Sequence, residues 1–260
     1  MHWRLSEASA IGVVGASQIE VAPNAPAQGA HWRTTNSQAA QPAAAWQIAA
    51  VRPMTTHSSQ PLEVYSRQND LIVRYGQGPA EQFSYQLDWR LLETPAPFVA
   101  AIELWVSIQT NLLDTQPELE IACSAPSGMG WSAFEHQQLG TEHQASVAGE
   151  TATESQSTEV DRGPAALLCS SLPTAAQRAT AQGLWLIEPT DQRHARRCSE
   201  DDQAEQRVRL FGHFMEKGVI RRARMRFLLA QASGAKASIT QQQVIAAYRD
   251  FANSPLPLTA

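Results

Sequence analysis

The chain has 260 residues, 43% of them hydrophobic and 17% charged, with 20 Lys and Arg against 25 Asp and Glu for a formal net charge of −5. That balance argues against general affinity for nucleic acid or an anionic membrane surface. No stretch approaches the roughly 20 apolar residues that a membrane helix needs, so no membrane span is expected.

In chain order, residues 1–45 read as a largely disordered tail. Residues 22–45 are mostly Ala, Pro, Gln and Asn, with Pro23, Pro26 and Pro42 among them, and bury too little apolar area to offset the entropy of ordering. Trp3 and Trp32 stand out there as residues that would dock onto the folded part or act as short anchors. The apolar run at 11–14 is broken by Gly12 and preceded by Glu7, too short for an export signal, so a cytoplasmic location is expected.

Residues 46–125 change to period two and read as a β-rich half. Leu71, Val73 and Tyr75 alternate with Ile72 and Arg74, while Phe83, Tyr85, Leu87, Trp89 and Leu91 share one face of a half-buried strand. Gly76, Gln77, Gly78 and Pro79 mark a turn between the two runs, which predicts an antiparallel hairpin. Pro95 and Pro97 interrupt the pattern. Ile102, Leu104, Val106 and Ile108 then line one face of a further strand, with Trp105 on the other, and a short strand passes through Leu119 and Ile121.

Residues 126–162 read as a flexible acidic linker or loop. Between 133 and 161 stand Glu135, Glu142, Glu150, Glu154, Glu159 and Asp161, with no Lys or Arg. Residues 163–258 resume as a second β-rich half. Leu184, Trp185, Leu186 and Ile187 suggest a central strand. Val208, Phe211, Phe214 and Met215 fall at helical spacing with Gly218 as a C-cap candidate, although an extended reading of 207–214 competes with it. From 219 to 229, Ala223, Met225, Phe227 and Leu229 face one way and Arg222, Arg224 and Arg226 the other. At the C-terminus, Thr240 and Gln243 fit a capping box ahead of the stripe Val244, Tyr248 and Phe251, and Pro255 and Pro257 end the helix.

The strongest chemical candidate is the arginine row. Three guanidinium groups at i, i+2 and i+4 of a strand lie about 7 Å apart on one face and could meet phosphates or carboxylates bidentately. Arg222, Arg224 and Arg226 are therefore the candidate binding residues; the competing expectation is that they pair with acids on neighbouring strands or with the 133–161 loop. Cys123, Cys169 and Cys198 form no CxxC pair and read as small buried hydrophobes rather than a disulfide framework or zinc site. The Glu135-His136 and Glu142-His143 pairs lie seven apart but in a segment without apolar periodicity. No metal site or cofactor is expected: there is no phosphate-binding loop and no dinucleotide fingerprint. There is no nucleophile elbow either. Catalysis, if present, would gather near His194, Cys198, His213 and Glu216.

Three segments together, 106–119 (VSIQTNLLDTQPEL), 214–224 (FMEKGVIRRAR) and 254–258 (SPLPL), resemble an uncharacterised group of bacterial hypothetical proteins. The resemblance implies that the part from about residue 60 to 258 is a discrete unit, with Glu216, Lys217 and Gly218 as a fixed junction. It implies no activity, cofactor or catalytic residue. The expected fold is α+β: mainly antiparallel sheet, as one curved sheet or two small subdomains, with the C-terminal helix packed on a sheet. The expected function is non-enzymatic binding or scaffolding, with another protein or an acidic ligand as partner. The alternatives are an enzyme site assembled from scattered polar residues and a module that binds acidic partners through the arginine strand.

Overall fold

Alternation of apolar and polar side chains sets the architecture, because each strand must bury one face. The computed structural model describes residues 1–15, 17–34, 46–134, 139, 164–171, 181–191, 195–198, 204–231 and 239–255. The strands, in order, are β1 (Trp3–Leu5), β2 (Ala10–Val14), β3 (Ser17–Val21), β4 (Ala30–Thr34), β5 (Trp46–Pro53), β6 (Glu63–Arg67), β7 (Asp70–Tyr75) and β8 (Ser84–Leu92). They continue as β9 (Phe98–Gln109), β10 (Glu118–Ser124), β11 (Met129–Phe134), β12 (Ala166–Ser171), β13 (Ala181–Ile187), β14 (Arg196–Arg197), β15 (Glu205–Phe211) and β16 (Ile220–Gln231). The helix α1 (Gln241–Asn253) follows.

These strands form two eight-stranded sheets, ordered β1-β2-β3-β4-β5-β10-β15-β14 and β11-β12-β13-β16-β9-β8-β7-β6. Every described pairing is antiparallel. The sheets share one core between them, built from residues such as Ile19, Trp32, Val51 and Ile121 of the first and Leu71, Trp89, Ile102 and Trp185 of the second. Thus the single curved sheet and the pair of small subdomains both give way to two sheets packed face to face, as in a β-sandwich. The division at residues 126–162 does not separate two sheets, since β9 pairs along its length with β16 and β10 pairs with both β5 and β15.

Three further expectations are corrected. The supposed tail carries β1 to β4, and Trp3 and Trp32 are buried; residues 35–45 lie outside the described residues. Ala10, Ile19 and Ala30 are fully buried, so the apolar area that the tail lacks by itself comes from the second sheet. Within the supposed linker, β11 pairs with β12, whereas the acidic residues from Glu135 to Asp161 lie outside the described residues. The helical reading near residue 211 gives way to the extended one, which holds as far as Phe211: the strand ends there at a sharp corner, where Phe211 and Gly212 take φ of 70° and 69°.

The hairpin of β7 and β8 forms as expected. So does α1, whose Thr240 side chain accepts from Gln243 N while the Gln243 side chain accepts from Thr240 N. Val244, Tyr248 and Phe251 pack against Leu184, Leu186 and Leu228 on the outer face of the second sheet, giving three layers: sheet, sheet and helix.

The sheets approach closely where Trp46 of β5 lies over Gly183 of β13. A Cβ at Gly183 would come within 2.6 Å of the Trp46 ring. Gly183→Ala therefore overpacks the core and is expected to lower the unfolding free energy by about 1–3 kcal/mol in chemical denaturation.

Candidate functional site

Outward residues of the second sheet fall into cross-strand rows fixed by register. Helix α1 covers part of this face and leaves the rest open. In the covered part, Arg224 is 1% exposed and Arg226 8%. Such buried guanidinium groups require partners, and each has several. Arg224 Nε donates to Glu188 Oε2 at 2.7 Å, and its Nη2 donates to the same carboxylate and, at 2.8 Å, to the Phe251 carbonyl. Its Nη1 donates to Ser254 Oγ at 2.9 Å. Arg226 reaches Glu103 on β9 at 3.0 Å from Nε, Asp250 on α1 at 2.8 Å from Nη1 and Ser254 Oγ at 3.1 Å from Nη2. Both guanidinium groups also stand over the Phe251 ring, at 4.3 and 4.9 Å from its centroid. Trp105, on the outer face as its alternation implied, is buried here and donates to Glu103 Oε1 at 2.8 Å.

The arginine row is therefore divided. Arg224 and Arg226 clamp α1 to the sheet, while Arg222, two residues earlier, is exposed. Other basic residues of this region are also matched by acids on the first sheet. Arg207 and Arg209 of β15, with Arg52 of β5, surround Glu120 of β10.

The open part is a groove of about 460 Å³. Arg74 of β7, Gln86 of β8, Ser107 of β9 and Arg222 of β16 stand opposite one another in successive pairings, a row about 14 Å long at the usual strand spacing. Ser84, Gln109 and Asn111 add hydrogen-bonding groups at one end, and Leu62 and Ile220, both well exposed, add aliphatic surface. Among the described residues no lining side chain is acidic, although Glu63 of β6, beside the groove, accepts from Arg74 Nη1 at 2.9 Å. Behind the row, Asp88 accepts from Gln86 Nε2 at 2.8 Å and holds that amide in place. Burial lifts the Asp88 carboxyl above the usual aspartate value, with the Gln86 hydrogen bond and the charges of Arg222 and Arg90 opposing that shift.

A second cavity of about 200 Å³ opens at the mouth between the sheets. Its polar lining is Thr190 and Asp191 after β13, His213 beyond the Phe211–Gly212 corner, and Arg221 and Arg222 on β16. Burial pushes the Asp191 carboxyl up to about 7; the hydrogen bond it accepts from Arg224 N at 2.8 Å opposes this, and the Glu188 charge adds to it. Of the residues considered for catalysis, His213 lies in this cavity, Glu216 is exposed in the loop before β16 and Cys198 flanks the edge strand β14. His194 lies outside the described residues, as do His136 and His143. Cys123 and Cys169 are buried, and burial raises both thiols well above their ordinary value. Among the described residues no group of three His, Cys, Asp or Glu could hold a metal ion, and no helix is long and apolar enough to cross a membrane.

Comparison with known proteins finds no matching family model and no matching curated protein. Among solved structures, a protein described as a kojibiose phosphorylase from human microbiome is 9% identical over 93% of this chain and 33% of its own, with a TM-score of 0.46. A polysaccharide lyase is 9% identical over 88% of this chain and 34% of its own, with a TM-score of 0.35. The chain thus spans about a third of the length of these two structures. Both are named as enzymes, a phosphorylase and a lyase, and against that finding the expectation of a non-enzymatic binding or scaffolding protein is withdrawn.

Two outcomes check the electrostatics. Arg224→Met strands Glu188 in the interior and is expected to cost about 3–5 kcal/mol in denaturant unfolding, whereas Arg224→Met with Glu188→Leu costs less. For Asp191, a folded-state value above the unfolded one favours the protonated acid, so its contribution is fully present below the ordinary aspartate range and is lost as pH rises through about 7. Asp191→Asn should therefore raise the melting temperature most at pH 8–9 and progressively less as pH falls toward the ordinary aspartate range.

Proposed function

We propose that the open groove binds a saccharide and that this sandwich forms part of a carbohydrate-active enzyme. One observation carries the saccharide assignment: the cross-strand row of Arg74, Gln86, Ser107 and Arg222 in a groove without an acidic lining residue among those described. Sugar hydroxyls both donate and accept hydrogen bonds. The Gln carboxamide and Ser hydroxyl can answer in either sense; Arg222 offers a planar fork of donors, and Arg74 offers those not taken by Glu63. Leu62 and Ile220 present aliphatic carbon at the rim, suited to the C–H face of a sugar ring.

Shape agrees with chemistry. The row crosses four strands as a shallow trough open to solvent, which suits a segment of a chain better than an enclosed small molecule. Positions on strands are held by the ladder of hydrogen bonds, so the donors and acceptors keep fixed spacing without a ligand. The Asp88 hydrogen bond further fixes Gln86.

Calorimetric titration of a panel of neutral and charged oligosaccharides checks this reading. At least one oligosaccharide should bind, and Gln86→Ala with Ser107→Ala should weaken it at least about tenfold, the loss of roughly 1.4 kcal/mol, with an unchanged unfolding midpoint. Absence of binding across the panel, or binding indifferent to both substitutions, would contradict it.

A further inference from the structure

Beside the groove, and sharing Arg222 with it, lies the cavity at the mouth of the sandwich. Its construction differs from the groove's. Arg221 and Arg222, exposed at successive positions of β16 and so on opposite faces of the strand, border it together with Thr190 from the turn after β13 and His213 from the loop after β15, Arg221 from the side of the sheet interior and Arg222 from the side of the groove. The corner that delivers His213 is built by Phe211, a non-glycine residue at a φ of 70°, a conformation that costs energy and is held only where surrounding structure enforces it. Among the described residues neither Arg221 nor Arg222 forms an ion pair, in contrast to Arg224 and Arg226.

We propose that this mouth cavity binds one oxyanion, a carboxylate or a phosphate, carried by the saccharide that lies in the groove. The proposal rests on the saccharide reading of the groove and adds the charge of the ligand and the place where that charge sits. Guanidinium groups recognise carboxylate and phosphate with paired, charge-assisted hydrogen bonds, and the Thr190 hydroxyl can supply another donor. About 200 Å³ corresponds to the share of about seven water molecules in the liquid. That is room for a charged substituent and part of its ring, not for a chain. Because Arg222 borders both cavities, a sugar held in the groove can place a substituent in the mouth.

Among the described residues Asp191 is the one acid in this lining, and it would repel an anion if ionised. Burial keeps its carboxyl protonated up to about pH 7, so in slightly acid solution it is neutral and can donate a hydrogen bond. The titratable and charged groups around it are Glu188 on its own turn, Arg221, Arg222 and Arg224 on β16, and the His213 imidazole on the opposing loop. Glu188 is engaged by Arg224. Ionisation of Asp191 then places a negative charge against the bound oxyanion, and affinity falls as pH rises from 6 to 8.

The test is calorimetric titration of the whole chain with glucuronate, glucose 6-phosphate, inorganic phosphate and glucose at pH 6 and pH 8, alongside a neutral oligosaccharide that reports on the groove. One of the charged sugars is expected to bind at least about tenfold more tightly than glucose, the scale of one charge-assisted contact. The preferred probe identifies carboxylate or phosphate. Arg221→Gln should remove that preference while leaving neutral oligosaccharide binding unchanged. Asp191→Asn should keep the preference at pH 6 and abolish its loss at pH 8. Equal affinity for charged and neutral sugars, or a preference that survives Arg221→Gln, overturns the oxyanion site; the saccharide reading stands if the neutral oligosaccharide still binds. Binding of inorganic phosphate without binding of any sugar overturns both.

Discussion

Burial of two guanidinium groups on one strand is the constraint on which the outer face of the second sheet depends. Arg224 and Arg226 cannot sit beneath a helix uncompensated, and their partners come from every neighbouring element. Glu103 lies on β9, Glu188 directly follows β13, and Asp250, the Phe251 carbonyl and Ser254 belong to α1 and its C-cap. Strand order, helix position and side-chain charge are thereby tied together. The same strand supplies the core through Ala223, Met225, Phe227 and Leu229 on its other face, so β16 joins the sandwich interior to the helix layer.

That arrangement also decides what remains for recognition. The helix covers the sheet only from the Arg224 row onward, and the row containing Arg222 is left open. The last exposed arginine thus borders both the groove and the mouth cavity. Polar residues on these strands have two roles according to cover: beneath the helix they close on one another as a buried network, and beyond it they face solvent as a trough of amides, hydroxyls and guanidinium groups.

Much of this was legible in the sequence where one strand alone carries the signal. The alternation of β8, the turn before it and the capping box of α1 all follow from local pattern. The shared face of Arg222, Arg224 and Arg226 was also visible, but not their different fates. Those depend on a helix that begins at Gln241 and crosses the strand. The first four strands were missed because they are only three to five residues long and are buried by the opposing sheet rather than by their own composition. The corner at Phe211 and Gly212 breaks the phase of alternation, so side chains on two sides of a bend mimicked helical spacing. The groove was invisible for a related reason. Arg74, Gln86, Ser107 and Arg222 come from four strands, and only the register of the pairings sets them in line.

Nuclear magnetic resonance titration of backbone amides with a bound oligosaccharide addresses the central claim directly, because it reports on every strand at once. Shifts confined to residues 84–86 of β8, 107–109 of β9 and 220–222 of β16, with α1 and the first sheet unmoved, would agree with an open recognition face set beside a sealed ionic one. Shifts centred on the outer face of the first sheet, or spread through α1 and the Arg224 network, would contradict it.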